Sequence, residues 1–267
     1  MTAPETVTYV LIPGAGGSAA YWHLLVGELR SRGREAVAVD LPAADAHAAL
    51  PEYAATVRAA VQGHERVVLV AQSLGAFTAP LVADDPAVRL LVLVNPMVPA
   101  PGETAGDWWA ATGHGPARAA YAAAQGRDPH AGVDLAVDFF HDVPAEVTAR
   151  MLEGGGGDES EAVFVRPNPL RRWPDVPTRV VTGRDDRFFP ADFQRRLCAE
   201  RLGVRPDELP GGHLLALSRP RELADLLESL HPGHLSGDPS GRREQKSGRG
   251  IRRAPMLPGP SRPVGRE

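Results

Sequence analysis

Short apolar runs alternate with longer amphipathic stretches from residue 7 to about residue 230. The short runs are rich in valine and leucine and show little polar alternation, which is typical of strands covered by helices on both faces of a parallel sheet. A sixth, weaker strand is predicted near Val204–Leu209, where Pro206 interrupts the pattern. The five clear runs are Val7–Ile12, Glu35–Val39, Arg66–Ala71, Val88–Val94 and Thr178–Thr182.

The stretches between these runs have the spacing of amphipathic helices. Alternation of strands and helices predicts βαβ crossovers and therefore an α/β fold, with a mostly parallel central sheet flanked by helices. The predicted helices are Tyr21–Arg32, Pro51–Gln62, Leu74–Asp84, Ala191–Arg201 and Pro220–Leu230.

Residues 97–170 interrupt the alternation, since they contain several helical patterns and no convincing strand. We interpret them as a helical cap inserted over an active site, the alternative being a helical layer packed on the sheet. The predicted domains are then an α/β core of residues 1–96 and 171–230 and a cap of residues 97–170. The aromatic residues of the cap would line an apolar pocket or, as is commoner for helical aromatics, form its core: Trp108, Trp109, Phe139 and Phe140.

Residues 231–267 differ in composition from the rest of the chain. They contain eight lysine and arginine residues against three aspartate and glutamate residues, and much of the remainder is glycine, proline and serine. Such a segment buries too little apolar surface to offset its ordering entropy, so we predict a disordered basic tail. It would be a solvated extension, the alternative being a contact with an anionic surface.

Overall composition narrows the possible partners. The net charge of the 267 residues is −4, which does not favour nucleic acid as a partner. No apolar run approaches the roughly 20 residues of a membrane span, and the first residues do not resemble a signal peptide. With Cys198 as the single cysteine, no intrachain disulfide can form, and we expect a cytoplasmic protein.

The segment Val67–Phe77 carries the clearest chemical motif. A buried strand runs directly into a predicted helix, with Ser73 at the corner. This pattern matches the nucleophile elbow G-x-S-x-G, with Ala71 in place of the first glycine. Small residues are needed on both sides because chain neighbours approach closely, and Ala71 and Gly75 meet that need. The alternative is a serine that caps an ordinary helix.

The loop after the first strand, Pro13–Ser18, is rich in glycine. Acyl transfer requires two N–H donors for the oxyanion of the tetrahedral intermediate. We predict the backbone N–H of Ala15 as one donor and that of Leu74, which follows the serine, as the other.

The same loop supports a competing interpretation. Residues 14–19 fit the dinucleotide-binding pattern G-x-G-x-x-G/A, and Asp40 ends the next strand, where a ribose-binding acid would lie. An NAD(P)-dependent oxidoreductase would leave Ser73 and the later motifs unexplained, and the bulky residues 21–23 open the helix. We therefore disfavour it.

Two further motifs follow the last strands. Asp185 and Asp186 come directly after a buried strand, at the edge where parallel sheets carry their sites. Asp186 fits the spacing G-x-x-D-x-x-x-P and is favoured over Asp185 as the acid. His213 lies on a glycine-rich loop before the final helix and is the predicted base.

The order Ser73, Asp186, His213 resembles the catalytic triad of the α/β-hydrolase fold family. The likeness covers residues 7 to about 230 and is greatest to small esterase-like members with a helical cap, the relatives of methyl esterases and hydroxynitrile lyases. Two positions depart from the family pattern: Pro13-Gly14 replaces the usual His-Gly, and Ala71 replaces the first elbow glycine.

The resemblance implies a serine hydrolase that cleaves a small carboxylic ester or a related acyl bond through an acyl-enzyme. A serine at the elbow argues against dehalogenation and epoxide opening, for which relatives use an aspartate nucleophile. The expected enzyme class is carboxylic ester hydrolase, with a small-molecule substrate and without a metal or organic cofactor. A non-hydrolytic small-ligand receptor and a lyase on the same fold are the alternatives.

Overall fold

The computed structural model of the chain describes residues 7–153 and 158–230. Its six strands form one sheet in the order β2-β1-β3-β4-β5-β6, and all five neighbouring pairs are parallel. The tail predicted at residues 231–267 lies outside the described residues. The strands are β1 Thr8–Ile12, β2 Glu35–Ala38, β3 Val67–Gln72, β4 Val88–Val94, β5 Thr178–Gly183 and β6 Asp207–Leu209.

Helices occupy most of the connections between these strands. Short 3-10 segments precede the first helix and follow β3, and a single π-helical turn, Leu135–Phe139, lies between the fourth and fifth helices. None of the described helices is both long and apolar enough to cross a membrane. The α-helices are α1 His23–Ser31, α2 Leu50–Val61, α3 Ala105–Thr112, α4 His114–Ala124, α5 Ala145–Glu153, α6 Glu161–Val165, α7 Ala191–Leu202, α8 Leu215–Ser218 and α9 Pro220–Ser229.

Both faces of the sheet are buried under helices. Successive side chains of a strand point to opposite faces, so each strand contributes to both apolar layers. Val10 and Ile12 of β1 pack in an apolar cluster that also contains side chains of α2 and α7. Tyr9 and Leu11 pack in a second cluster with side chains of α1 and α9. This two-sided burial explains why the strands read as nearly continuous apolar runs and confirms the predicted three-layer α/β architecture.

The predicted helix Leu74–Asp84 is wrong. The structure instead forms two 3-10 segments, Ser73–Phe77 and Ala79–Leu81. Pro80 explains the difference, since it has no N–H to donate to a helical hydrogen bond and disfavours the α conformation of the residue before it. Only the N–H groups of a short helical segment are therefore available directly after Ser73.

The weakly predicted sixth strand forms, but it begins only after Pro206. Asp207–Leu209 pairs in parallel with the end of β5. Proline cannot donate an N–H to a neighbouring strand. Because this short edge strand starts after Pro206, it does not need that hydrogen bond.

The strand order creates a crevice at the carboxyl end of the sheet. The chain leaves β1 toward β2 on one side, whereas β3 lies on the other side of β1. Where the order reverses in this way, the loops after the two central strands diverge, and parallel α/β sheets bind their ligands there. The loop Pro13–Ser18 follows β1 and Ser73 follows β3, so both border this crevice.

Within residues 97–153 and 158–170, the structure forms helices and no strand. Trp108 is fully buried and packs against Phe189 and Phe193, which belong to the segment after β5. It therefore anchors α3 to the α/β core, in line with the interpretation of the helical aromatics as core residues.

Candidate active site

Ser73 lies at a sharp corner directly after β3. Its φ of +51° is in the left-handed region, which non-glycine residues rarely adopt, so this backbone is strained. The corner is also crowded: a Cβ atom on Gly75 would lie 2.5 Å from the carbonyl oxygen of Pro13. Glycine is thus required at position 75, as the elbow motif predicts. Ser73 itself is 8% exposed.

Asp186 and His213 form a buried pair. The His213 Nδ1 atom lies 2.8 Å from Oδ2 of Asp186, and the exposed fractions of the two residues are 1% for His213 and 0% for Asp186. The other carboxylate oxygen, Oδ1, accepts hydrogen bonds from the backbone N–H groups of Phe188 and Phe189, each at 2.8 Å. These polar contacts of the carboxylate fix its orientation toward the histidine ring.

Asp185, the competing acid, lies in a different environment. Its side chain is exposed and accepts a hydrogen bond from the Gly211 N–H at 3.2 Å, while its own N–H donates to the Gly211 carbonyl at 2.9 Å. Asp185 therefore contacts the loop that carries His213, whereas the imidazole ring makes its hydrogen bond with Asp186.

Ser73 and His213 line the same cavity, which has a volume of about 480 Å³. The Nε2 atom of His213 is buried and has no hydrogen-bond partner among the described residues, so no bond to Ser73 Oγ is formed in this structure. Catalytic hydrogen bonds are often long in ligand-free enzymes and tighten when substrate binds. An unpaired imidazole nitrogen in the same cavity as a strained serine is suited to accept a proton.

The rest of the cavity wall is mainly apolar. Among the aromatic residues of the predicted cap, Phe139 and Phe140 line the cavity, whereas Trp108 is buried in the core. Two charged side chains, Arg150 and Glu159, also contribute. The apolar wall comes from both the helical segment and the core: Tyr21, Leu135, Phe139, Phe140, Met151, Leu152, Leu214 and Leu217.

The two predicted oxyanion donors belong to the loop after β1 and to the corner after β3. Ala15 lines the cavity on the loop after β1. Leu74 follows Ser73 directly, and its side chain is buried in the core, so that only its backbone can contribute to the site. A hydrogen bond from the Gly17 N–H to the Gly14 carbonyl, 3.1 Å long, closes the glycine-rich loop into a turn.

The glycine-rich loop does not present the features of a dinucleotide site. The Asp40 carboxylate accepts a hydrogen bond from the Ala19 N–H at 2.7 Å. In the dinucleotide interpretation this N–H would face a pyrophosphate and the acid would bind a ribose. Because the two groups bind each other, the geometry argues against that interpretation.

Asn95, at the end of β4, is a site residue that sequence reasoning missed. It is fully buried with a φ of +43°. Its amide N–H₂ donates to the carbonyl groups of Gly212 and His213, at 3.2 and 2.9 Å. Its Oδ1 accepts from the Thr182 hydroxyl and the Gly183 N–H. The side chain therefore ties the histidine loop to the end of β5. The sequence feature that could have identified Asn95 is a polar residue directly after a buried strand.

Replacement of Asn95 by aspartate should destabilise this connection. The new oxygen would face two carbonyl groups where an amide donated two hydrogen bonds, at a cost of about 3 kcal/mol in unfolding free energy. Urea unfolding measures this loss. The matched control is Asn168→Asp, because Asn168 is also buried but its amide NH₂ group donates only one long hydrogen bond, 3.4 Å, to the Phe77 carbonyl. Equal losses in the two variants would contradict the importance of the Asn95 network.

Metal-ligating side chains do not cluster in the described part of the chain. Residues 7–153 and 158–230 contain no group of three or more histidine, cysteine, aspartate or glutamate side chains placed to hold a metal ion.

Comparison with known proteins identifies the family. A model of the alpha/beta hydrolase family matches residues 9–226. The chain belongs to this family. The match includes all six strands apart from Thr8, all the candidate site residues and the helical segment between β4 and β5, so the predicted fold class and the resemblance stated from the motifs are confirmed.

Curated relatives of this α/β-hydrolase are named esterases. The chain is 28% identical over 255 residues to Probable esterase PIR7A of Oryza sativa, with 82% of this chain and 94% of the relative covered. The expected assignment as an α/β-hydrolase enzyme is confirmed.

Solved structures show the same fold. A pyrethroid hydrolase from Sphingobium faniae JZ-2 matches with a TM-score of 0.64 and 21% identity, over 84% of this chain and 97% of that one. Polyneuridine aldehyde esterase matches with a TM-score of 0.66 and 19% identity, over 84% and 98% of the two chains.

Proposed function

We propose that this α/β-hydrolase cleaves small carboxylic esters through an acyl-enzyme on Ser73, with His213 as the base and Asp186 as the acid that orients it. The strongest support is the buried Asp186–His213 hydrogen bond, with the opposite imidazole nitrogen unpaired in a cavity that Ser73 also lines. The esterase names of the curated relatives agree with this activity.

The reaction would proceed in two stages. His213 Nε2 takes the proton of Ser73 Oγ as the oxygen attacks the ester carbonyl, and the N–H groups of Ala15 and Leu74 stabilise the oxyanion that forms. Collapse of this intermediate breaks the bond to the alcohol, which leaves with the proton from His213. A water molecule, deprotonated by His213, then cleaves the acyl-enzyme and releases the acid. Each step uses only protein groups and water.

We also propose that residues 97–170 act as a cap over the cavity. This segment supplies much of the apolar cavity wall, including Leu135, Phe139, Phe140 and Met151. The core supplies the predicted reactive groups, so the cap would select the substrate while the core performs the chemistry. A mainly apolar wall and a volume of about 480 Å³ suit an ester with a medium-sized apolar acyl or alcohol group.

A series of p-nitrophenyl esters from acetyl to decanoyl tests the proposed activity. We expect steady multiple turnover, with kcat/KM rising from acetyl to a medium chain length and then falling as the acyl group outgrows the cavity. Release of p-nitrophenol at constant protein concentration measures this, with the Ser73→Ala variant as control for spontaneous hydrolysis. Binding of the esters without turnover would instead support a receptor, and cleavage of a cyanohydrin without ester turnover would support a lyase.

A further inference from the structure

Glu159 connects the helical segment to the loop that carries a predicted oxyanion donor. Its Oε2 accepts a hydrogen bond from the Gly16 N–H at 2.8 Å, and its Oε1 accepts one from the Tyr53 hydroxyl. Gly16 and Tyr53 precede Glu159 in the sequence by 143 and 106 residues, respectively. Glu159 also lines the cavity shared by Ser73 and His213. The proposed ester hydrolysis assigns no chemical step to this carboxylate.

The hydrogen bond with Glu159 favours one conformation of the turn around Gly16. Residues 14–17 form a turn in which Gly16, the third residue, has a φ of +86°. A positive φ at this position is the signature of a type II turn. Glycine adopts negative φ equally readily, so the peptide between Ala15 and Gly16 can rotate toward a type I turn at little steric cost. Rotation would change the ψ angle of Ala15 and reverse the Gly16 N–H. The N–H of Ala15, the predicted donor, lies on the preceding peptide of the same turn, so its position depends on the shape of that turn.

The surroundings of Glu159 hold its carboxylate in place for this contact. Tyr53 is 2% exposed and packs in the core on α2, so its hydroxyl is a fixed donor. Ser160, the next residue, is buried and donates its hydroxyl to the Ala46 carbonyl at 3.3 Å. Burial raises the pKa of Glu159, whereas hydrogen bonds from Tyr53 and from the Gly16 and Ser160 backbones oppose that rise. These bonds compensate for the partial loss of solvation of the carboxylate.

We propose that Glu159 is a positioning residue, which keeps the turn of residues 14–17 in one shape and thereby holds the Ala15 N–H where it can reach the developing oxyanion. The inference rests on the proposed ester hydrolysis. A rotated peptide would turn its N–H away from the Glu159 carboxylate, so that state would lose the hydrogen bond that Gly16 donates. Glu159 thereby makes the oxyanion site dependent on the helical segment that covers it.

Two substitutions at position 159 test this role. In Glu159→Ala, kcat should fall about 10- to 100-fold with KM nearly unchanged, because a displaced oxyanion donor weakens binding of the transition state rather than of the ester. Glu159→Gln keeps an oxygen that can accept from the Gly16 N–H, so its kcat should stay close to that of the wild type. Glu161→Ala is the control, since Glu161 is an exposed glutamate two residues away.

A trifluoromethyl ketone provides a readout that a purely structural role would not change. The serine oxygen adds to the ketone carbonyl and gives a hemiketal. The oxyanion of this hemiketal occupies the same site as the oxyanion of the tetrahedral intermediate of ester hydrolysis. Its inhibition constant should rise in Glu159→Ala by the same factor as kcat/KM falls, while the alcohol of the same skeleton, which forms no oxyanion, should bind unchanged.

Other results would overturn the inference. A rise in KM alone, with unchanged inhibition by the ketone, would make Glu159 a substrate contact rather than a positioning residue. Equal losses in Glu159→Gln and Glu159→Ala would show that the negative charge matters and not the accepted hydrogen bond. If wild type neither hydrolysed an ester nor bound the ketone, the proposed function itself would fail, whereas an active wild type with an unaffected Glu159→Ala variant would reject only this inference.

Discussion

Replacing Ser73 by alanine is expected to lower kcat for ester hydrolysis by about 10⁴- to 10⁶-fold, since the variant has no oxygen to form the acyl-enzyme. The fold should remain intact. Alanine is no larger than serine, and both residues are similarly disfavoured at the φ of +51° of this corner. Ser73 Oγ also forms no hydrogen bond with His213 that the substitution would remove. Circular dichroism and the melting temperature should therefore match those of the wild type.

A second serine provides the control for this experiment. Ser218 in α8 is also buried, and its hydroxyl has no hydrogen-bond partner among the described residues. Ser218→Ala removes the same atom from a similar environment and should leave kcat unchanged. Labelling with a fluorophosphonate, followed by peptide mass spectrometry, should place the covalent adduct on Ser73. Retention of kcat within about tenfold in Ser73→Ala would reject the serine mechanism, because a lost nucleophile costs far more.

The sheet could be predicted from the sequence because its strands are covered on both faces. Runs such as Val67–Ala71 are apolar throughout, and in a chain that alternates strands with helices such a run is typical of a strand buried on both sides. The segment after Ser73 could not be predicted in the same way. Its residues have acceptable helical spacing, but Pro80 prevents the backbone hydrogen bonds that an α-helix would need.

The candidate site was predictable where local sequence determines geometry. A serine between small residues at a strand end, and acid and histidine residues after later strands, are local patterns that predict where each side chain lies. Asn95 and Glu159 act through partners more than 80 residues away in sequence. Their roles follow from the packing of the histidine loop and the helical segment on the sheet, which local patterns do not encode.

Replacing Asp186 by asparagine is expected to lower kcat by about 10⁴-fold with little change in KM. The structure explains why this nearly isosteric change should be so severe. Oδ1 of Asp186 accepts from the N–H groups of Phe188 and Phe189, so the asparagine must keep its oxygen there. Its NH₂ group then faces Nδ1 of His213. That nitrogen must become the acceptor, and the ring proton moves to Nε2.

This shift of the proton removes the base without removing the histidine. With Nε2 protonated, the neutral ring has no lone pair directed into the cavity to accept the Ser73 proton, while apolar contacts of the ring with Phe139 and Phe189 are retained. Substrate binding should therefore persist, which is why the loss is expected in kcat. Steady-state kinetics with one p-nitrophenyl ester separates the two parameters.

Asp185→Asn is the matched control, and it decides between the two adjacent acids. Asp185 accepts from the Gly211 N–H, and an asparagine oxygen can accept the same bond, so kcat should stay near the wild-type value. If Asp185→Asn caused the larger loss instead, the acid role would pass to Asp185, and the His213 loop would have to rearrange when substrate binds. Similar, small losses in both variants would mean that His213 needs no acid to hold its tautomer, which would contradict the mechanism proposed for this hydrolase.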